Sequence, residues 1–234
     1  MKLILTCEHG GNNIPEAYEK YFKNKAVLKT HRGYDLGALD LFKTLESLSY
    51  TSYCSKTSRS LVELNRSLHH KNLFSEFTKD LPNIETAEII STYYLPYRLA
   101  VENNIKSYIE NGETVLHLSI HSFTPILNNI ERNCDIGLLF DSSKKAEKCF
   151  CKQFKTDLLK QNPSLKVRFN YPYLGKADGF TTHLRKQFPT NYLGIEIEVN
   201  QKFAIDDVMG IEIKGVIYKS VSNLKSNILV LLKT

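Results

Sequence analysis

The stretch Leu116-His117-Leu118-Ser119-Ile120-His121-Ser122-Phe123-Thr124-Pro125 alternates apolar and polar side chains with a strict period of two, the pattern of a β-strand. A helix would stack His117 and His121 one turn apart and offer both to one ion. A strand instead separates their Cα atoms by about 13 Å, four steps of roughly 3.3 Å, so one ion cannot take both. His121, at the carboxyl end, is then the candidate metal ligand. His117 reads as a hydrogen-bonded core or pocket-floor residue.

Working outward, short apolar runs of strand length occur at Lys2 to Cys7, Asp135 to Phe140 and Tyr192 to Val199, with weaker candidates at Tyr50 to Cys54 and Lys166 to Phe169. Helical patterns lie between them. Asp35 to Leu48 carries apolar residues at Leu36, Leu39, Leu41, Phe42 and Leu45. Thr86 to Glu110 is amphipathic and should kink at Pro96, and Gly112 stands where that helix must stop. Further helices are expected over Ser143 to Gln161, Asp178 to Gln187 and Ile211 to Leu231. The alternation of strand and helix specifies an α/β sandwich. No repeat, low-complexity tract or Pro/Gly/Ser linker divides it, so residues 1–234 read as one domain, with active residues at the ends of strands.

A chain of 234 residues, 42% hydrophobic, can bury its own core. Lys2 and a short apolar run open the sequence, but Glu8 and His9 interrupt what a signal peptide would continue, so this segment reads as a buried first strand. No stretch approaches the roughly 18 to 20 apolar residues of a membrane-spanning helix. The expectation is a soluble, cytoplasmic protein with no membrane partner. Its five cysteines lack both disulfide-scaffold density and Cys-x-x-Cys pairs, which implies reduced thiols. The net charge of +6 comes from scattered lysines with no basic run interleaved with aromatics. That distribution argues against nucleic acid and suits a small anionic ligand.

Five further segments carry chemistry. In Thr6-Cys7-Glu8-His9-Gly10-Gly11-Asn12 an apolar strand ends in a polar corner, and the two glycines allow a sharp turn and a close approach to a ligand. His9 there is a candidate metal ligand. In Thr30-His31-Arg32-Gly33-Tyr34-Asp35-Leu36-Gly37-Ala38, Asp35 precedes a helical pattern and could serve as its N-cap. A catalytic zinc takes three protein ligands and an open position, often two histidines and a carboxylate, which makes Asp35 the third candidate. Ser58-Arg59-Ser60-Leu61-Val62-Glu63-Leu64-Asn65-Arg66-Ser67 sets Arg59, Asn65 and Arg66 among apolar positions, as a carboxylate clamp would. In Gly194-Ile195-Glu196-Ile197-Glu198-Val199-Asn200-Gln201, alternation puts Glu196 and Glu198 on one strand face. Glu198, nearer the end, is the candidate general base, with Glu196 the fallback. Asn170 to Arg185 reads as a loop over the cleft leading into a helix, with Arg185 a second anion contact and Asp178 a cap.

Taken together, Cys-Glu-His-Gly-Gly-Asn, His-Arg-Gly-Tyr-Asp-Leu-Gly-Ala, Ser-Arg-Ser-Leu-Val-Glu-Leu-Asn-Arg-Ser, Ser-Ile-His-Ser-Phe-Thr-Pro and Gly-Ile-Glu-Ile-Glu-Val-Asn-Gln resemble the N-formylglutamate amidohydrolase family from Cys7 to Gln201. The resemblance implies a single-domain three-layer αβα sandwich with a mixed, mostly parallel sheet, phosphorylase/hydrolase-like and related to zinc carboxypeptidases. It implies one zinc ion on His9, Asp35 and His121, Glu198 as the catalytic glutamate, and Asn65-Arg66 as the dipeptide that holds a substrate carboxylate. It also implies hydrolysis of N-formyl-L-glutamate to formate and L-glutamate, in histidine degradation. One position departs from the carboxypeptidase pattern, which takes a carboxylate ligand three residues after the first histidine, where this chain has Asn12. The alternatives are a zinc deacylase or peptidase acting on another N-acyl amino acid or a cell-wall peptide, and an inactive carboxylate-binding module.

Overall fold

A computed structural model of the chain describes residues 1–231, with side chains as far as Lys225. Six strands form the central sheet: β1 (Lys2–Cys7), β2 (Thr51–Cys54), β3 (Val115–Phe123), β4 (Ile136–Leu139), β5 (Val167–Phe169) and β6 (Tyr192–Asn200). Their order across the sheet is β2-β1-β3-β6-β4-β5. All neighbours run parallel except β4 and β6, which are antiparallel. The sheet is therefore mixed and mostly parallel, as expected. All six segments read as strands from their apolar runs are these strands, with ends moved by a residue or two.

Strand alternation divides the core between two helical layers. On one face Leu3, Leu5, Leu116, Leu118, Ile120, Leu193, Ile195 and Ile197 pack beneath α1 (Ala38–Leu45), α4 (Lys145–Gln161) and α6 (Ile211–Leu231). The β-branched residues that weaken the helix propensity of α6 are the ones it buries: Ile213, Ile217 and Val221 recur at four-residue spacing against the sheet. On the other face Ile4, Val115 and Tyr192 meet α3 (Leu95–Glu110) and α5 (Phe180–Gln187). Beyond that apolar start, the second face turns polar toward the carboxyl ends of β1, β3 and β6. Thr6, His117, Ser119, His121, Glu196 and Glu198 are all buried there. The carboxyl ends of the adjacent parallel strands β1, β3 and β6 lie side by side at one edge of the sheet, whereas β4 and β5 point the opposite way.

Differences from the sequence reading have local causes. The helix expected over Thr86 to Glu110 is two helices, α2 (Asn83–Ile89) and α3, joined by a π-helical turn at Ile90–Tyr94. Pro96 lies in the first turn of α3, where its missing N–H costs little, so the widened turn forms just before it. Gly112, at φ 77°, ends α3 as expected. Two small hairpins escape the apolar-run criterion: Ile126–Leu127 with Ile130–Glu131, and Ala204–Ile205 with Val208–Met209. Their signal lies in the turn dipeptides Asn128-Asn129 and Asp206-Asp207, which hold positive φ as a two-residue hairpin turn requires. No helix among the described residues is long and apolar enough to cross a membrane.

Candidate metal centre and cleft

His9 stands one residue beyond Glu8 in the turn that leaves β1, and His121 sits near the end of β3. Asp35 reaches them from the connection between β1 and α1, anchored by its backbone N–H donating to the His9 carbonyl at 3.0 Å. Its Oδ2 lies 3.2 Å from His9 Nδ1 and 2.9 Å from His121 Nδ1. All three side chains are buried, and their potential ligand atoms fall within 4.8 Å of one another. Asp35 is not a helix cap, because α1 starts after Gly37 with no side-chain cap. Its carboxylate is spent on the two imidazoles, on Arg59 Nη1 at 3.1 Å and on the Ser122 amide.

Register places the glutamates. Along the β3–β6 pair, Ser119 faces Glu196 and His121 faces Glu198. Across β6 the residue opposite Glu198 is Gly137 of β4, where a Cβ would collide with the Tyr171 backbone and crowd the Glu198 side chain. Burial pushes the Glu198 carboxyl up to about 7, with Asp35 and Glu196 adding to the rise and His121 and Arg59 opposing it. Its Oε2 is buried with no hydrogen-bond partner. Glu196 differs: its Oε1 accepts from Thr181 Oγ1 at 2.8 Å. Both carboxylates line a cleft of about 270 Å³ with His9, Asp35, His121, Arg59, Asn65 and Arg66.

His117 behaves as its strand position predicts. It lies away from the cluster, fully buried, between Thr6 Oγ1 and Tyr192 OH, each at 2.7 Å. Burial lowers its pKa to about 4, so it stays neutral. The close approach allowed by Gly11 is to the Lys56 backbone, where an added Cβ would sit 2.6 Å from the carbonyl oxygen, rather than to a ligand.

Two buried glutamates that the motif reading left without a role complete the cluster. Glu63 accepts a hydrogen bond from His9 Nε2, and Glu8 Oε2 lies 3.2 Å from His121 Nε2. Glu8 also accepts from Ser119 Oγ at 2.6 Å and Tyr97 OH at 3.1 Å. Glu8 directly precedes His9 and Glu63 lies four residues after Arg59, but no local period ties either to a histidine so distant in sequence. For His121, burial is outweighed by its bonds to Asp35 and Glu8, which raise its pKa well above the ordinary value. For His9, burial and Arg59 are outweighed by Glu63 and Asp35.

The clamp residues divide. Arg59 is partly committed: its Nε and Nη2 donate to Glu63 Oε2 at 2.8 and 2.5 Å while Nη1 reaches Asp35. Asn65 Oδ1 accepts the Phe180 N–H at 2.7 Å, which leaves its NH₂ as donor. Arg66 donates through Nη1 to the Asp178 carbonyl at the cleft wall. Asp178 is not a cap. Its carboxylate accepts the Ser67 N–H at 3.0 Å and ties the Tyr173–Asp178 loop over the cleft. Arg185 does not reach the cleft. It is buried against Glu147 at 2.8 Å and the Gly175 and Gly194 carbonyls, so the expected anion contact does not fit its placement.

The donor set fits a divalent cation. Two imidazoles and a carboxylate converge, and Glu8, Asp35, Glu63 and Glu198 bring four buried carboxylates against a single guanidinium, Arg59. The field of those carboxylates, which favours positive charge on His9 and His121, equally favours a cation held between them. The partnerless Glu198 Oε2 beside the cluster is the atom a polar reactant there would satisfy.

A family model described as N-formylglutamate amidohydrolase matches residues 1–204. Among solved structures, a gene product from Agrobacterium tumefaciens superposes with a TM-score of 0.77 at 23% identity, covering 99% of this chain and 90% of its own. The N-formylglutamate amidohydrolase from Ralstonia eutropha superposes with a TM-score of 0.69 at 15% identity, covering 100% of this chain and 94% of its own. At these identities the superpositions speak for the fold. No curated protein matches the chain.

Proposed function

Because the chain belongs to the N-formylglutamate amidohydrolase family, we propose that it catalyses zinc-dependent hydrolysis of the amide bond of N-formyl-L-glutamate, or of a similar N-acyl acidic amino acid. The products from N-formyl-L-glutamate are formate and L-glutamate, which suits a cytoplasmic enzyme of histidine degradation. We read residues 1–234 as one amidohydrolase domain, of which 232–234 lie outside the described residues. The observation that carries the reading is the convergence of His9, Asp35 and His121 beside a glutamate with a free buried oxygen.

In this reading His9, Asp35 and His121 hold one zinc ion, which supplies Lewis acidity toward the scissile carbonyl. Glu198 takes the proton of the attacking water and passes it to the leaving amine nitrogen. Arg66 and the Asn65 NH₂ hold the amino-acid carboxylate, so that binding remote from the amide orients it. Arg59 spends three of its five N–H donors on Glu63 and Asp35 and keeps two at the cleft for the same substrate carboxylate.

Formate release from N-formyl-L-glutamate, measured beside metal content, tests this. The expected result is one zinc per chain, with turnover stopped by a chelator and restored by zinc. Turnover indifferent to chelation in metal-free protein removes the mechanism. A panel of N-acetyl, N-formyl and muropeptide amides reads out the acyl group and amino acid. Arg66→Ala is expected to raise KM with little change in kcat, lowering kcat/KM by about 10- to 100-fold, the worth of a lost charge-assisted contact. An unchanged KM would move the clamp elsewhere.

A further inference from the structure

We propose that Glu8 and Glu63 orient the two imidazoles of the metal centre from behind, and that Arg59 belongs to that support. The inference rests on the reading that His9, Asp35 and His121 hold a divalent cation.

His9 turns Nδ1 toward Asp35 Oδ2 and Nε2 toward Glu63; His121 turns Nδ1 toward the same Asp35 oxygen and sets Nε2 2.8 Å from Ser119 Oγ, which donates to Glu8, and 3.2 Å from Glu8 Oε2 itself. An Nε2–H donated to a carboxylate, or to a hydroxyl that is itself donating to one, selects the tautomer whose lone pair sits on Nδ1, aimed at the cluster, and stops the ring from rotating. The two supports are not equivalent. Glu63 shares its charge with the Arg59 fork, and its Oε1 also accepts the Asn65 N–H at 3.0 Å. Glu8 is fully buried, and its only other hydrogen-bond partners are the hydroxyls of Ser119 and Tyr97. Those hydroxyls fix its position without neutralising it, and no guanidinium or ammonium hydrogen-bonds to it among the described residues, so more of its charge acts on His121 than Glu63's does on His9. The Glu8 support should therefore matter more to the cation than the Glu63 support. Arg59 completes the second relay: with three of its nitrogens on Glu63 and Asp35, it steadies His9 through one and the metal-facing carboxylate through the other.

The test is zinc affinity of the metal-free protein, measured by competition with a chromophoric chelator, together with the visible spectrum of the cobalt-substituted protein. Far-UV circular dichroism and urea unfolding of the metal-free forms serve as folding controls. Glu8→Gln is expected to weaken zinc binding by about 10- to 100-fold and to shift the cobalt bands, with Glu63→Gln and Arg59→Met doing so to a smaller degree. Wild-type binding with all three variants within about twofold of it, and cobalt spectra unchanged, overturns the proposal. A wild-type chain that binds no divalent metal fails differently and removes the functional reading along with it. Should Glu8→Gln not fold, Tyr97→Phe takes its place, because it loosens Glu8 without deleting its charge or touching His121. Weaker zinc binding then supports the role, and unchanged affinity overturns it.

Discussion

Glu198→Gln is expected to lower kcat by about 10²- to 10⁴-fold while leaving zinc content and KM near their wild-type values. The substitution keeps volume and shape at a position that tolerates little change, since Glu198 is buried and crossed by the Tyr171 backbone through the gap at Gly137. What it removes is the ability to accept a proton. Burial raises the carboxyl to about 7, which places its basicity in the useful range for taking a proton from water near neutral pH. The working form is the carboxylate, so activity should fall as pH drops through the Glu198 pKa. A cation on the neighbouring histidines favours the carboxylate and moves that limb below 7. Glu196→Gln is the control. Its Oε1 is held by Thr181, so its loss should perturb the cleft wall without removing turnover. Full activity in Glu198→Gln, with loss in Glu196→Gln, would transfer the base to Glu196.

The parts of the site that were legible in the sequence are those written in a local period. Alternation in β3 separated His121 from His117, and alternation in β6 put Glu196 and Glu198 on one face; the register of that pair then set Glu198 opposite His121. Asp35 stood between two readings that sequence could not separate, because a helix N-cap and a metal ligand use the same residue just ahead of a helix. The structure excludes the cap by where the chain turns: two residues, Leu36 and Gly37, lie between Asp35 and the helix, and its carboxylate aims back at β1 and β3 rather than at the first turn of α1. Glu8 and Glu63 were visible within quoted motifs but had no assignable partners. Their contacts join residues 113 and 54 positions apart, respectively, and only the assembled sheet brings these together. The same holds for Arg59, whose five donors look free in sequence and of which three are taken once Glu63 and Asp35 fold against it.

Arg185 shows how far a residue type alone can mislead, and it carries the second large expected effect. Arg185→Ala should destabilise the protein by about 3–5 kcal/mol, the cost of leaving a buried charge without its partner, and lower the melting temperature by roughly 6–20 °C for a chain of this size. Glu147 is 1% exposed and holds three donors: Arg185 Nε at 2.8 Å, the Gly194 N–H at 3.0 Å and the Asp141 N–H at 2.8 Å. Removing the guanidinium leaves that carboxylate without its counter-charge and takes a donor from each of the Gly175 and Gly194 carbonyls. Arg185→Lys keeps a charge but loses the planar fork that serves Glu147 and both carbonyls at once, so it should recover only part of the loss. A residue that bound substrate would behave in the opposite way, with wild-type stability in Arg185→Ala and a raised KM. Urea unfolding measured beside KM on the same variants distinguishes the two. The structural outcome is favoured because this arginine joins α4, α5, β6 and the Gly175 segment behind the cleft wall, so it acts on the site only through the fold it holds together.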